Sequence, residues 1–263
     1  MLGTVATSVA ERASGDKWPA HLLRLIDVGG AGGVQSKWLS FADRIIPVLF
    51  EPNPLEAAKL RGALQATFTA PLVIESALSN VAEVRNLHVA RYWGCTSIRE
   101  PNFDVLSKYR IGPAFDVVNT MPVACSRYDT LHVAGLVPSP DAIKIDVQGF
   151  EHEVLEGFGG CLQDCLGIEL EAHFYPIYRG QKLFCALVDF LSDFGFVLRK
   201  LSPVPSFDGD VVEIDAWFTK DIRSWQEFTE IQREKFSLIC KVWDLVNYSR
   251  IDQTKHHNDL LPE

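Results

Sequence analysis

Residues 23–41 read LRLIDVGGAGGVQSKWLSF, an apolar run that leads into four glycines within five positions and then into a helical pattern. This order of strand, glycines and helix is typical of a turn that binds a cofactor. Gly29 and Gly33, with Ala31 between them, let the backbone turn sharply and approach a ligand, while the first helical N–H groups point at an anion. We therefore expect a ligand site formed by Asp27, Gly29, Gly30, Ala31 and Gly33. The alternative is that the glycines only form a tight turn.

The spacing of the glycines excludes one class of ligand. A dinucleotide-binding turn needs G-x-G-x-x-G, but Gln35 or Ala31 stands where that pattern requires glycine. What remains is D-x-G-x-x-x-G, in which an acid precedes the glycines. This pattern suits a ligand that carries both a cationic amine and a carboxylate, and S-adenosylmethionine is such a ligand.

Further candidates for cofactor binding stand at the ends of the next two strand patterns. Glu51 follows Asp27 by 24 residues, where nucleotide-binding folds place an acid that accepts the ribose hydroxyls. The prolines on both sides of Asn53 hold it at the same strand tip. Ser76 and Ala77 are expected to border an adenine ring. The alternatives are a solvated strand-end acid at position 51 and a plain strand-to-loop transition at 76 and 77.

Composition limits the classes of function. The chain has 263 residues and a net charge of −9, which argues against sequence-independent nucleic-acid binding. Its apolar runs are far shorter than the roughly 20 residues that cross a bilayer, and its first residues contain no signal-peptide core. We therefore expect a cytoplasmic protein without a membrane span. The six cysteines lack the paired spacing of a zinc site.

The alternation of Val/Ile/Leu-rich runs with amphipathic stretches predicts an α/β protein, with a mainly parallel sheet and helices on both faces. Seven strands are expected, at residues 24–28, 47–51, 72–77, 142–147, 166–171, 196–201 and 211–218. Helices are expected at residues 36–42, 55–66, 151–158 and 183–194.

We interpret residues 1–263 as a single domain with three additions. These are an N-terminal extension at 1–21, an inserted β-rich segment at 81–140 and a C-terminal helical tail at 221–263. The insertion contains strand patterns at 87–90, 96–98 and 117–123, and we expect it to shape a ligand pocket, because long connections in compact domains tend to be functional. The apolar face of the tail helix must pack on this domain or on a second subunit, and the latter would give a homodimer.

Candidate catalytic residues follow the fourth and fifth strands. Asp146 ends the fourth strand opposite the glycine turn, where it would bind a substrate hydroxyl or act as general base. The alternative is that Asp146 caps the helix that begins at Glu151. Glu171 and His173 lie at the end of the next strand, and His173 would be a base of suitable pKa or a structural histidine.

Lys144 is assigned no role, and no metal site is assigned. Lys144 is expected to point into the flank of the sheet. Asp146, Glu169 and Glu171 are oxygen donors near one edge that could hold a divalent ion, but no spacing demands one, and no metal is assigned.

Together these motifs resemble the FkbM family of S-adenosylmethionine-dependent methyltransferases, over residues 24–200. The family carries a DVG turn, an FEPNP segment, an AL-S/D stretch, a K-I-D-V-Q-G-x-E-x-x-V-L-x-G block and an E-x-x-F-x-P-x-Y-x-G-Q-like segment, as do Asp27–Gly33, Phe50–Pro54, Ala77–Asn80, Lys144–Gly157 and Glu171–Gln181. The resemblance implies a Rossmann-like class I methyltransferase fold whose last strand is antiparallel. It also implies methyl transfer to a hydroxyl of a sugar, glycan or secondary metabolite. Ala31 departs from the family, which usually has a polar residue there.

Two other functions stay open at this point. One is a nicotinamide-dependent oxidoreductase, which the broken pyrophosphate pattern disfavours. The other is a non-catalytic interaction module with the same fold, whose tryptophan-rich tail would serve as a docking helix.

Overall fold

A seven-stranded sheet forms the centre of the fold in the computed structural model, which describes residues 17–246. Within this range the strands are β1 (Leu23–Val28), β2 (Ile45–Phe50), β3 (Leu72–Ile74), β4 (Ala77–Leu78), β5 (Glu83–Ala90), β6 (Val117–Ser126), β7 (Ala142–Ile145), β8 (Gly167–His173), β9 (Phe196–Pro203) and β10 (Glu213–Lys220). The α-helices of the same range are α1 (Ser36–Leu39), α2 (Pro54–Gln65), α3 (Phe103–Leu106), α4 (Tyr128–Val133), α5 (Glu151–Phe158), α6 (Phe184–Ser192) and α7 (Glu230–Val242).

The order of strands in the central sheet is β3-β2-β1-β7-β8-β10-β9. Neighbours from β3 to β8 are parallel, and β10 runs antiparallel to both β8 and β9. All six residues of β2 are buried, as expected for a parallel strand that is covered on both faces. The expected Rossmann-like α/β fold, with one antiparallel strand, is confirmed.

The predicted elements of the central sheet all occur, with shifted ends. The third strand stops at Ile74 rather than at residue 77, because Ala77–Leu78 pairs with a different sheet. The helix expected at 36–42 is a single turn, Ser36–Leu39, followed by a 3₁₀ turn at Ala42–Arg44. The helices expected at 55–66, 151–158 and 183–194 are α2, α5 and α6.

A second, three-stranded sheet in the order β4-β6-β5 stands beside the carboxyl edge of the first. The strand patterns expected at 87–90 and 117–123 fall inside β5 and β6, which pair antiparallel. The strand expected at 96–98 is wrong, since only Ser97 forms an isolated bridge, to His88. The inserted segment therefore lies over the carboxyl edge of the central sheet.

Helix α7 packs its apolar face on the central sheet of its own chain. Phe236, Ile239 and Trp243 are buried in one cluster with Leu25. A Cβ atom on Gly167 of β8 would lie 2.7 Å from the Trp243 ring, so the indole touches the strand backbone. Of the two alternatives for the tail, the structure shows contact with the same domain. Residues 1–16 of the expected extension and 247–263 of the expected tail lie outside the described range.

A buried carboxylate fixes α7 to the strands beneath it. Asp141, directly before β7, accepts hydrogen bonds from Arg24 Nε at 2.7 Å and from Lys235 Nζ at 2.8 Å. These bonds join β1, β7 and α7 at one point.

Between residues 17 and 246, no helix has both the length and the apolar composition that a bilayer crossing requires.

A second buried ion cluster joins the carboxyl ends of β1 and β7. Lys144 Nζ lies 3.4 Å from Asp27 Oδ1 and 3.3 Å from Asp146 Oδ2. Burial raises the pKa of the Asp27 carboxyl to about 6, although the charge of Lys144 opposes the rise. Burial lowers the pKa of Lys144, but attraction by the two carboxylates outweighs it and the net shift is upward.

We expect Asp27→Asn to change the pH dependence of stability. The folded pKa of Asp27 is about 6 and the unfolded value about 3.9, so the protonated carboxyl favours the folded state. That contribution is complete below about pH 4 and is lost as the pH rises through about 6, which amounts to about 2–3 kcal/mol. Urea unfolding from about pH 4.5 to about pH 7 should therefore show the free energy of unfolding of the wild type falling relative to that of the variant.

The matched control is Asp104→Asn, which removes a carboxylate that is 80% exposed. Its free energy of unfolding should follow the wild type at every pH. Parallel curves for wild type and Asp27→Asn would contradict the effect of burial on Asp27.

Candidate functional site

A cavity of about 680 Å³ opens at the carboxyl edge of the central sheet. Its walls come from the glycine turn after β1, the tips of β2 and β7, and the inner side of the second sheet. Open α/β sheets bind ligands at this edge, where the strand order reverses. The order reverses here between β1 and β7, so the cavity lies where the fold predicts a ligand.

The glycine turn is held in place by backbone contacts on two sides. The N–H groups of Gly29 and Gly30 both donate to Phe50 O, at 3.2 and 3.1 Å. Gly29 has a φ of +79°, and a Cβ atom there would lie 1.9 Å from Asp146 O. No other residue fits this position, because any side chain would overlap the backbone that follows β7. The sequence pattern therefore reflects a close approach of two chain segments as well as a turn.

Glu51 lies at the tip of β2 and joins this strand to the glycine turn. The residue is 6% exposed, and its Oε1 accepts the Asn53 N–H at 2.8 Å. Burial raises the pKa of its carboxyl, although the N–H groups of Asn53 and Ala31 oppose the rise. The carboxylate lines the cavity, where it is placed to accept hydroxyl groups.

Asn53 lines the cavity but uses its side chain elsewhere. Its Oδ1 accepts the N–H groups of Leu55 and Glu56, at 3.0 and 3.4 Å, and so caps helix α2. A side-chain oxygen at the N-cap satisfies helical N–H groups that otherwise lack a partner. We therefore assign Asn53 to the shape of the cavity wall.

The expected cofactor residues divide into two groups. Those that line the cavity are Gly29, Ala31, Glu51, Asn53 and Ala77, and those that do not are Asp27, Gly30, Gly33 and Ser76. Asp27 lies beneath the glycine turn and faces Lys144. The Ser76 hydroxyl is 3.1 Å from Ala124 O and 3.0 Å from Ser126 Oγ, so it supports the second sheet.

The turn after β7 arranges the candidate catalytic groups. Gln148 has a positive φ of +56°, and its amide nitrogen donates to Asp146 Oδ1 at 3.2 Å and also to Glu171 Oε1. Its Oε1 accepts the Tyr178 hydroxyl at 2.7 Å. A Cβ atom on Gly149 would lie 2.8 Å from the Tyr178 ring. The Gln-Gly pair therefore holds Asp146 and Glu171 side by side at the cavity.

Asp146 does not cap helix α5, contrary to the alternative considered from the sequence. The N-cap residue of α5 is Phe150, and no side chain caps the helix. The N–H groups of Val147 and Gly149 donate to Glu151 Oε1, at 3.3 and 3.0 Å. The Asp146 side chain is instead 39% exposed towards the cavity and lies beside Lys144. Its carboxylate therefore lines the cavity while Lys144 and Gln148 each contact one of its oxygens.

Lys144 is one of two groups whose place at the site was not predicted from the sequence. It was expected to point into the flank of the sheet, but it lies between Asp27 and Asp146, with Nζ 3.4 Å from Gly29 O. The period of two puts residues 144 and 146 on the same side of the chain, although β7 ends at Ile145. The pairing of Lys144 in β7 with Asp27 in β1 depends on the register between the two strands.

His173 is buried behind the cavity. It is 1% exposed and does not line the cavity, whereas Glu171 does. Its Nε2 lies 3.7 Å from Glu171 Oε1 and 3.5 Å from Glu213 Oε2. Burial and the neighbouring carboxylates raise the pKa of Glu171 well above its ordinary value. Glu213 was missed, because its pairing with His173 depends on the antiparallel register of β10.

Comparison with solved structures finds methyltransferases at low similarity. Magnesium protoporphyrin IX methyltransferase from Synechocystis PCC 6803, with bound SAM, is 10% identical with a TM-score of 0.42, over 76% of this chain and 70% of that one. A chain of a fibrillarin/Nop5p complex is 11% identical with a TM-score of 0.43, over 76% of this chain and 74% of that one. Precorrin-6y C5,15-methyltransferase from Geobacter metallireducens GS-15 is 13% identical with a TM-score of 0.38, over 76% of this chain and 80% of that one. These likenesses are distant and carry no functional conclusion.

The sequence comparison is decisive for the family. No curated protein matches the chain significantly. The family model described as Methyltransferase FkbM domain matches residues 27–198, more than half of the chain. Methyltransferases of this family use S-adenosylmethionine, which agrees with the cofactor expected from the glycine turn, and the match favours methyl transfer over the nicotinamide alternative. The chain belongs to the FkbM family of methyltransferases.

Proposed function

We propose that this methyltransferase acts on a hydroxyl oxygen of a sugar, glycan or secondary metabolite. One observation carries the proposal: the cavity is lined by five carboxylates, and none of the described residues that line it is Lys, Arg or His. The carboxylates are those of Glu51, Glu56, Asp146, Glu171 and Glu213. Lys144 pairs with Asp146 and Lys59 pairs with Glu56, and the other acidic side chains keep the cavity wall negative. Such a cavity attracts a cationic sulfonium and disfavours a phosphate-bearing acceptor. A neutral acceptor that donates hydroxyl hydrogen bonds fits such a cavity best.

The residues present fit S-adenosylmethionine. A Cβ atom added at Gly32 would meet no heavy atom within 4 Å, so the space beside the glycine turn is open. Backbone groups of Gly29 and Ala31 would border the cofactor there, and the Glu51 carboxylate would accept the ribose hydroxyls. Ala77, at the start of the second sheet, would border the adenine. The bound cofactor supplies a methyl group on a positively charged sulfur.

Asp146 would receive the acceptor hydroxyl. Its carboxylate faces the cavity, and Lys144 and Gln148 fix its orientation through one oxygen each. Methyl transfer needs the oxygen aligned with the methyl carbon, and alignment alone supplies several kcal/mol. As the hydroxyl loses its proton, Asp146 is placed to take it. Glu171 would provide the second contact, with His173 behind it as a positioning residue.

The inserted segment at 81–140 would shape the acceptor pocket. Its contribution to the wall is mainly apolar and includes Leu87, Ile111 and Phe115. Tyr92 and Trp93 stand at the mouth, 55% and 61% exposed, with ring centroids 6.1 Å apart. Exposed aromatic faces suit the apolar face of a sugar or a planar metabolite. A homodimer through the tail is not part of the proposal, because the apolar face of α7 already packs on its own sheet.

We expect Glu51→Ala to weaken cofactor binding. The substitution removes a charge-assisted hydrogen-bond acceptor, which is worth about 1.5–3 kcal/mol, or roughly 10- to 100-fold in affinity. Calorimetry with S-adenosylhomocysteine should show micromolar binding to the wild type and this loss in the variant. The control is Glu75→Ala, an exposed acid paired with Arg61, which should bind within about twofold of wild type. Equal affinity of both variants would remove Glu51 from the cofactor site.

Asp146→Asn should separate catalysis from cofactor binding. Loss of a general base costs about 10²–10⁴-fold in rate, while the cradle for the cofactor stays intact. The measurement is transfer from methyl-labelled S-adenosylmethionine to a panel of monosaccharides, oligosaccharides and phenolic metabolites, with S-adenosylhomocysteine affinity measured in parallel. Unchanged turnover would exclude Asp146 from catalysis. A product labelled on nitrogen or carbon would contradict transfer to a hydroxyl.

A further inference from the structure

Three potential metal ligands converge beside the cavity, outside the cofactor cradle. Glu171 and His173 belong to β8, and Glu213 begins β10. One ligand atom from each side chain lies within 4.8 Å of the other two. Both glutamates line the cavity and His173 closes the rear, so these three residues form a shell with one open side.

The imidazole of His173 lacks hydrogen-bond partners although it is buried, where unpaired polar atoms are costly. The side chain is fully buried, and neither Nδ1 nor Nε2 has a hydrogen-bond partner. Buried polar groups without partners are rare and point to a missing ligand or to a functional role. The Tyr178 ring packs edge-on against the imidazole at 6.1 Å between centroids, which limits its rotation. Nε2 is thereby directed at the two carboxylates.

The distances match atoms that share a cation. Nε2 lies 3.7 Å from Glu171 Oε1 and 3.5 Å from Glu213 Oε2, without a hydrogen bond to either. Two ligands each about 2.1 Å from an ion, at about 90–110° to one another, stand about 3.0–3.5 Å apart. The two Nε2 distances are close to this range, and the ligand oxygens of the two glutamates lie within 4.8 Å of each other.

Neighbouring strands and side chains hold the three ligand residues in position, as the residues around a metal site usually do. His173 and Glu213 are direct partners in the antiparallel pairing of β8 with β10, so rigid strands set their separation. Gln148 donates to Glu171 and orients its carboxylate. Glu169, which the sequence offered as an oxygen donor, is not available, because both of its oxygens lie 2.6 Å from Lys37 Nζ.

We propose that Glu171, His173 and Glu213 bind one divalent cation whose open coordination positions face the cavity. One imidazole and two carboxylates suit Mn²⁺ and related transition-metal ions. The cation would bind hydroxyl oxygens of the acceptor, and this role rests on the proposed O-methyl transfer, whereas the binding of the ion does not. The competing explanation of the same geometry is a buried histidine that packs against the two glutamates without an ion.

The test is a titration of the full chain, treated with chelator and then dialysed, with Mn²⁺ as the probe. Electron paramagnetic resonance of free Mn²⁺ should show one ion bound per chain with micromolar affinity. His173→Gln and Glu213→Gln should each weaken binding by about 10-fold or more. Glu75→Gln, which alters an exposed acid, should leave it unchanged. Pulsed electron paramagnetic resonance should detect the imidazole nitrogen of His173 coupled to the bound ion in the wild type and in Glu213→Gln. The coupling should be absent in His173→Gln.

Failure of the metal site and failure of the methyltransferase proposal are distinguishable. S-adenosylhomocysteine affinity should stay within about twofold of wild type in both ligand variants, which also shows that they fold. No Mn²⁺ binding above that of the variants, or bound Mn²⁺ without nitrogen coupling, would overturn the proposed site and leave His173 as a buried structural histidine. Glu213→Gln keeps the volume of the side chain, so its result decides the matter even if His173→Gln does not fold.

Discussion

The site depends on one steric constraint, the contact of the backbone at Gly29 with the carbonyl of Asp146. A Cβ atom at position 29 would stand 1.9 Å from that oxygen. The contact brings the turn after β1 against the turn after β7, at the point where the strand order reverses. The cofactor cradle on one side and the candidate catalytic carboxylates on the other are therefore built on the same pair of strands.

Charge is the second constraint, and it follows from the first. Crowding the strand ends together brings Asp27 and Asp146 close enough to need a counter-ion, and Lys144 supplies it from the same face of the sheet. The carboxylates that remain line the cavity without a basic residue among its described lining. Carboxylates at a cavity are costly unless a partner or a ligand uses them. A cationic methyl donor, and a divalent cation held by His173 and two glutamates, would each offset part of that cost.

Much of this could be predicted from the sequence, because it is local. Seven strands, the glycine turn and Glu51 at the tip of β2 all follow from patterns of residues close together in the chain. The errors arose where partners are remote. Lys144 was placed on the wrong side because its role depends on the register between β1 and β7, and Glu213 was missed because β10 inserts antiparallel beside β8. Asn53 lines the cavity as expected, but its side chain serves helix α2.

The most direct test of the central claim compares alanine at two glycines of the same turn. Gly29 and Gly33 both have positive φ, so alanine costs similar backbone strain at either position. Only at Gly29 does the new Cβ meet backbone; at Gly33 the nearest atom is a Leu60 methyl at 3.6 Å. Calorimetry with S-adenosylhomocysteine should show Gly33→Ala within about 10-fold of wild type and Gly29→Ala weakened by more than about 100-fold. Equal affinities for the two variants would contradict the account.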